Sequence, residues 1–135
     1  MHKLIGLLGV ILLLSGCAGK IDRGPSLTEV GSHFSEAMRW GDYIGAGGHL
    51  HQDIREQFVA KFQADEDLHI VESQIFRIDA APTADAADVE YRMQYYRLPS
   101  MRVKKWQWIQ QWRRHEKKAL KSGVWLIMNS PPEVP

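Results

Sequence analysis

Apolar and polar residues alternate strictly along Val89-Glu90-Tyr91-Arg92-Met93-Gln94-Tyr95. A period of two places the apolar side chains on one face of a β-strand and the polar side chains on the other. A second alternating stretch runs from Trp106 to Trp112 and places its tryptophans on one face together with Gln110. Two such stretches predict an antiparallel sheet with one packed face and one solvated face.

The rest of the second half is typical of strands as well, because it is rich in β-branched and aromatic residues. The predicted strands are residues 68–78, 87–98, 103–115 and 123–128. The turn signals between them are Ala81-Pro82-Thr83-Ala84-Asp85, Pro99-Ser100 and Lys121-Ser122-Gly123. Prolines 131, 132 and 135 follow the last strand, and we expect no further structure there.

The segment before the strands has the period of amphipathic helices. Ser26 and Glu29 match a capping box, and apolar residues recur at helical spacing to about Trp40, where Gly41 ends or bends the helix. The helical period returns over residues 50–62 after a glycine-containing stretch. Helices followed by strands predict an α+β fold, with two or three helices packed on a curved four-stranded antiparallel sheet.

This order of elements and the placement of the aromatic residues resemble the NTF2-like, or cystatin-like cone, superfamily. The resemblance covers about residues 26–130 and rests on Trp40-Gly41-Asp42-Tyr43, Tyr95-Tyr96-Arg97-Leu98-Pro99-Ser100, Gln111-Trp112 and Val124-Trp125. It implies a cone formed by the sheet and the helices. Members include isomerases, dehydratases, transport factors and modules without a known ligand, so the resemblance transfers no catalytic residue to this chain.

The first residues are typical of an exported protein. His2 and Lys3 precede an apolar run from Leu4 to Leu14, which is shorter than the roughly 20 residues that span a bilayer. The run ends in Leu14-Ser15-Gly16-Cys17, which resembles the lipobox of bacterial lipoproteins. The resemblance implies that the Cys17 thiol is lipidated, that residues 1–16 are removed, and that the new amino group is acylated. Two or more acyl chains give stable membrane anchoring.

The predicted organisation is a signal peptide (residues 1–16), a lipidated tether (17–25), a folded domain (26–130) and a proline-rich tail (131–135). After Cys17, about eight tether residues reach at most about 26 Å, so the domain stays close to its membrane. Ala18, rather than aspartate, follows Cys17, which resembles the signal for outer-membrane delivery. In a host with two membranes, we therefore expect the protein on the periplasmic side of the outer membrane.

Composition excludes several other classes. Cys17 is the only cysteine, so the chain has no internal disulfide and no cysteine zinc cluster. Residues 17–90 hold 6 Lys and Arg against 14 Asp and Glu, whereas residues 91–135 hold 10 against 2. The mature chain is neutral, which argues against a nucleic-acid partner. The two halves are oppositely charged, so we expect them to attract each other in the fold.

The first candidate site is an aromatic pocket inside the cone. Its predicted lining consists of Tyr91, Tyr95, Trp108, Gln110 and Trp112. Four rings with one amide suit an apolar ligand that carries a single hydrogen-bonding group. Asp42, at the helix junction, is the acid that such a pocket would bury, with a raised pKa. The other interpretation is that these residues form an ordinary core. This interpretation is favoured, because aromatic residues on a sheet that faces helices are more often core residues.

The second candidate site is a basic stretch around two strand ends. It contains Arg97, Arg102, Lys104, Lys105, Arg113, Arg114, Lys117, Lys118 and Lys121. Such a cluster suits anionic lipid headgroups, lipopolysaccharide phosphates or an acidic protein. The other interpretation, which is the usual one for runs of charge, is a solvated hairpin rim that discourages edge-to-edge pairing.

Two short motifs match functional patterns only in part. His49-Leu50-His51-Gln52-Asp53 has a metal-ligand spacing but straddles a helix start, so we interpret its histidines as surface or capping residues. Gly45-Ala46-Gly47-Gly48 lacks the preceding strand and the following Lys-Ser of a phosphate loop, so it predicts a flexible helix junction. No metal or cofactor is expected.

Three functions are left open by the sequence. The leading hypothesis is a non-catalytic interaction or structural module of the cell envelope, whose partner is an envelope protein or a second copy of the chain. A carrier of small apolar ligands comes second. An enzyme of the isomerase or dehydratase type comes third, because the sequence offers no recognisable acid–base pair and a fold does not imply a function.

Overall fold

Three helices cover one face of a curled four-stranded antiparallel sheet. The computed structural model describes residues 24–81, 84–117 and 120–135, so Cys17, the predicted signal peptide and Lys118 lie outside the described residues. The elements are α1 (Leu27–Arg39), α2 (Tyr43–Gly47), α3 (Gln52–Ala64), β1 (Leu68–Asp79), β2 (Ala86–Arg97), β3 (Lys104–Lys117) and β4 (Leu120–Ile127). The strands lie in chain order, each antiparallel to the next. The predicted α+β fold class is confirmed.

The helix ends follow the local rules read from the sequence. The Ser26 hydroxyl accepts a hydrogen bond from the Glu29 backbone N–H at 3.2 Å, which caps α1 as predicted. Gly41 follows α1 with a φ of 71°, a conformation that glycine adopts without a Cβ clash. Asp42 then accepts from the Gly45 backbone N–H at 2.9 Å and begins α2.

The glycines of α2 serve close packing. A Cβ on Gly47 would lie 2.4 Å from Cγ2 of Val59, a residue of α3. Only glycine allows α2 to approach α3 this closely. The stretch predicted as a flexible junction is therefore a short helix.

The sheet register gathers the large apolar side chains on the face that the helices cover. Trp108 lies opposite Tyr91, and Trp106 lies opposite Met93. The β1–β2 register shifts at Val71 and again at Phe76. Such bulges bend a strand and increase its twist, which curls the sheet around the helices.

The predicted turn at Lys121-Ser122-Gly123 is wrong, because β4 begins at Leu120. Gly123 lies inside the strand and pairs with Glu116. A Cβ at Gly123 would lie 2.4 Å from Cγ of Arg114, so this glycine makes room for a neighbouring side chain. Close approach, rather than a turn, explains its position.

The segment before α3 covers the edge of β4. Leu50, which we expected inside a helix, forms a parallel bridge with Ile127. The His51 backbone N–H donates to the Ile127 carbonyl at 2.9 Å, and the Ile127 N–H donates to the His49 carbonyl at 2.8 Å. The helical period of the sequence therefore starts two residues too early, and α3 begins at Gln52.

Residues 128–135 contain no helix or strand, yet they pack on the sheet. The Trp106 indole N–H donates to the Glu133 carbonyl at 3.1 Å, and the Tyr95 hydroxyl donates to the Pro135 carbonyl at 2.9 Å. The Arg97 guanidinium donates to the Val134 carbonyl at 3.2 Å. These bonds hold the proline-rich tail against the folded domain.

Candidate functional site

The predicted aromatic lining comes together on the concave face of the sheet. Tyr91, Tyr95, Trp108, Gln110 and Trp112 are each at most 1 % exposed. Phe34, from α1, enters this group edge-on, with ring centroids 5.3 Å from Tyr91 and 6.0 Å from Trp108. Side chains from helix and sheet therefore fill the space where the sequence left a choice between a pocket and a core.

Gln110 is the polar centre of this cluster. Its side-chain oxygen accepts a hydrogen bond from the Trp112 indole N–H at 2.8 Å. Within the described residues, Nε2 of Gln110 and Nε1 of Trp108 have no hydrogen-bond partner although both atoms are buried. A buried donor without an acceptor costs about 1–3 kcal/mol, so the cluster has unused donor capacity.

Sequence reasoning missed a polar network at the rim of this cluster. The Ser73 hydroxyl lies 2.6 Å from the Tyr91 hydroxyl and donates to the Ser35 carbonyl at 2.8 Å. Burial raises the pKa of the Tyr91 hydroxyl well above its usual value, although the bond with Ser73 acts in the opposite direction. The sequence signal for this network is Ser73, a polar residue on the inward face of β1 between Ile70 and Ile75.

Asp42 lies away from the aromatic cluster. Its side chain is exposed and accepts from the backbone of α2. The polar groups close to the buried rings are those of Gln110, Ser35 and Ser73, together with the Tyr91 hydroxyl.

The two histidines of the H-x-H-x-D motif have different roles. His51 caps α3 by accepting the Asp53 backbone N–H at Nδ1, over 3.3 Å. His49 is half-buried, edge-on to Phe34 at 6.3 Å, and burial lowers the pKa of its imidazole. Among the described residues, no cluster of three His, Cys, Asp or Glu side chains forms a metal site.

The basic stretch divides into two groups at opposite ends of β3. Arg102, Lys104 and Lys105 are exposed at its start, and Arg113 is exposed near its end. Arg113 lies eight residue steps along the strand from Lys105, or about 27 Å. Arg114 points to the other face, where it pairs with Asp85 and lies 5.9 Å from the Trp125 ring centroid. The side chain of Lys117 lies outside the described part.

The outer face of the sheet carries a groove of about 300 Å³. Its outward-facing lining consists of Glu72, Gln74, Arg92, Gln94, Lys105 and Gln107. Beside it, Phe76 is 53 % exposed and Ile109 is 46 % exposed. The Arg92 guanidinium lies 3.3 Å from the Phe76 ring centroid and also pairs with Glu90 at 2.6 Å. Charged and apolar side chains thus alternate on a surface that the helices leave uncovered.

A second groove, of about 350 Å³, marks where the described chain begins. Its lining includes Gly24 and Leu27 from the start of the chain and Arg114 and Trp125 from β3 and β4. The described chain therefore begins at the end of β3 that carries Arg113.

The chain matches no protein-family model, and no curated protein matches it. Within residues 24–81, 84–117 and 120–135, no helix is long and apolar enough to cross a bilayer.

Proposed function

We propose that this protein is a membrane-anchored lipoprotein of the bacterial cell envelope, lipidated at Cys17, whose NTF2-like domain is a non-catalytic interaction module. In a host with two membranes it is held on the periplasmic side of the outer membrane. The domain meets an envelope protein, or a second copy of itself, through the outer face of its sheet.

The observation that carries this proposal is the difference between the two faces of the sheet. Phe34 and the sheet aromatics occupy the concave face, where catalytic or ligand-carrying relatives of this fold type would need open space. The outer face presents the groove of about 300 Å³ together with Phe76 and Ile109. Exposed apolar side chains rimmed by polar groups are typical of protein interaction surfaces.

The start of the described chain supports the anchoring. Six residues lie between Cys17 and Gly24, and the seven steps along the chain reach at most about 25 Å. Gly24 lies in a groove with Arg114, so the anchor keeps this end of the domain near the headgroups. The exposed guanidinium of Arg113 lies at the same end, and basic side chains are attracted to anionic leaflets.

Anchoring is tested by Cys17→Ala in cells fed a labelled fatty acid. The variant should accumulate as the unprocessed precursor and incorporate no label. Ser15→Ala is the matched control, because it keeps a small residue in the lipobox and should be processed and labelled normally. Normal processing of Cys17→Ala would contradict the lipoprotein proposal.

The interaction surface is tested with a photo-crosslinking amino acid in the native envelope. At Gln107, in the groove, we expect a discrete crosslinked band, whose mass identifies either a second copy or another protein. Glu56, exposed on α3, is the control position and should give none. Equal crosslinking at both positions, or none at Gln107, would refute the proposed surface.

A small-ligand carrier is the second candidate, and the unpaired donors of Gln110 and Trp108 favour it. An acceptor group on a ligand would satisfy both. A native mass spectrum of the gently purified full chain should then show a retained molecule that Gln110→Leu loses. A spectrum that shows the chain alone would leave the interaction module as the better account.

A further inference from the structure

One side-chain cluster lies at the covered edge of β4, apart from the aromatic cluster and both grooves. Nε2 of His115 lies 3.3 Å from Sδ of Met128. The ring centroids of His51 and His115 are 5.7 Å apart, with a tilt of 41° between the rings. All three residues are partly exposed. Two imidazoles and a thioether therefore meet where solutes can reach them.

We infer that His51, His115 and Met128 form a binding site for a soft monovalent metal ion, Cu(I) or its heavier analogue Ag(I). A thioether is a poor ligand for hard cations, and it selects soft ions such as Cu(I), which imidazole also binds well. The ligand set of two nitrogens and one sulfur suits a three-coordinate d¹⁰ ion.

The geometry fits one shared ion. At zinc, metal–sulfur bonds are about 2.3 Å long and metal–nitrogen bonds about 2.0 Å. With these lengths, a sulfur and a nitrogen atom bound to one ion lie roughly 3.3 Å apart when the S–metal–N angle is near 100°. This is the spacing between His115 and Met128. Two imidazoles on one ion have centroids at most roughly 6.4 Å apart, and the 5.7 Å between His51 and His115 lies within that limit.

The Asp53 carboxylate orients the ring of His51, which supplies the third ligand atom of the proposed site. Nδ1 of His51 lies 3.4 Å from Oδ2 of Asp53, which leaves Nε2 for the metal. A metal on Nε2 places the imidazole proton on Nδ1, so on binding His51 gives up the cap bond that Nδ1 accepts from the Asp53 backbone N–H and donates instead to Oδ2 of Asp53. A carboxylate behind a metal-bound histidine fixes the ring and raises its basicity. Asp53 is thus a positioning residue of this site.

Backbone hydrogen bonds fix the positions of the three residues relative to one another. His51 donates its backbone N–H to the Ile127 carbonyl at 2.9 Å, and Met128 donates its own to the Gln111 carbonyl at 2.7 Å. His115 pairs with Val124 within the sheet. The H-x-H-x-D spacing contributes only His51 and Asp53, since His49 packs against Phe34.

The test is Cu(I) binding by the full-length chain in detergent, with Cys17→Ser in every sample to remove the competing thiol, measured in competition with a chromophoric Cu(I) chelator under reducing conditions. We expect one Cu(I) per chain. Met128→Leu and His115→Gln should each weaken binding at least about tenfold, and Asp53→Asn about 10–100-fold. Met101→Leu and His69→Gln are the matched controls and should bind as the wild type does, because neither residue lies in the cluster.

X-ray absorption of the wild-type complex, with Cu(I) and separately with Ag(I), gives a second readout that needs no variant. We expect one sulfur and two nitrogen neighbours. Failure to bind Cu(I), a shell without sulfur, or equal affinity of Met128→Leu and the wild type would overturn the inference. Circular dichroism melts of each variant separate a lost ligand from a lost fold.

Discussion

Replacing Phe34 by alanine tests whether the concave face is a packed core or an open cone. The Phe34 side chain is 0 % exposed. Its ring lies 5.3 Å from Tyr91, 6.0 Å from Trp108 and 6.5 Å from Trp112, measured between centroids. It is the part of α1 that enters the sheet aromatics, so its loss leaves a cavity with aromatic walls.

The expected cost follows from the burial. Truncating a fully buried phenylalanine to alanine lowers the free energy of unfolding by about 3–5 kcal/mol, from lost transfer energy and the cavity that remains. In a domain of this size, 1 kcal/mol shifts the melting temperature by roughly 4 °C. We therefore expect Phe34→Ala to melt about 12–20 °C below the wild type.

Urea unfolding of the full-length chain, followed by tryptophan fluorescence, measures the change, and a thermal melt by circular dichroism checks it. Trp40→Ala is the control, because this indole is 74 % exposed. An exposed substitution of this kind costs within about 0.5 kcal/mol. A loss below about 1 kcal/mol for Phe34→Ala would refute the packed core and return the open pocket as the better interpretation.

Three further changes test single contacts. Burial raises the pKa of the Tyr91 hydroxyl above its usual 10.0, so the unfolded chain loses this proton first and stability falls as the pH rises through 10. Urea titrations should show that Tyr91→Phe removes about 1.4 kcal/mol of the stability that the wild type loses between pH 9 and pH 11, and an equal loss in both proteins would contradict it. Asp42→Ala should cost about 1 kcal/mol in thermal melts because α2 loses its cap, and an equal cost for Asp42→Asn, which caps as well, would contradict this reason. Arg97→Met should loosen the tail, so that the Trp106 indole proton exchanges faster with D₂O, as measured by NMR. The Trp112 indole proton is bonded within the core and should keep its exchange rate. If the Trp106 proton exchanged equally fast in variant and wild type, Arg97 would not hold the tail.

Patterns of short range predicted the fold well. The alternation from Val89 to Tyr95 gave the correct inward face of β2, because the strand period is fixed by backbone geometry. The start of α1 was readable because Ser26 and Glu29 lie within one helical turn. Chemistry between near neighbours is all that these predictions required.

Features that depend on distant parts of the chain were not readable. Leu50 has the spacing of a helix residue, but it pairs with the edge of β4 through a bridge to Ile127. Gly123 resembled a turn residue because nothing local indicates that Arg114 needs its space. The meeting of His51, His115 and Met128 likewise requires the register of β3 with β4.

The uneven charge of the sequence helps to explain which cations remain available to a partner. Among the described residues, three ion pairs between residues far apart in the sequence join the oppositely charged halves: Asp65 with Arg97, Asp85 with Arg114, and Lys61 with Glu133. All are partly exposed, so they contribute more to the alignment of the elements than to stability.

Lys105 and Arg113, two basic residues on the outer face, differ from these paired residues. No ion pair within the described ranges involves Lys105 or Arg113, and Lys105 lines the outer groove. Glu72 is the carboxylate of the groove lining, whereas Arg92 and Lys105 supply two cations. A protein that uses this groove is therefore expected to present acidic side chains around an apolar centre that meets Phe76. Charge reversal at Lys105 should weaken its association more at low salt than at high salt, because screening removes the attraction between exposed charges.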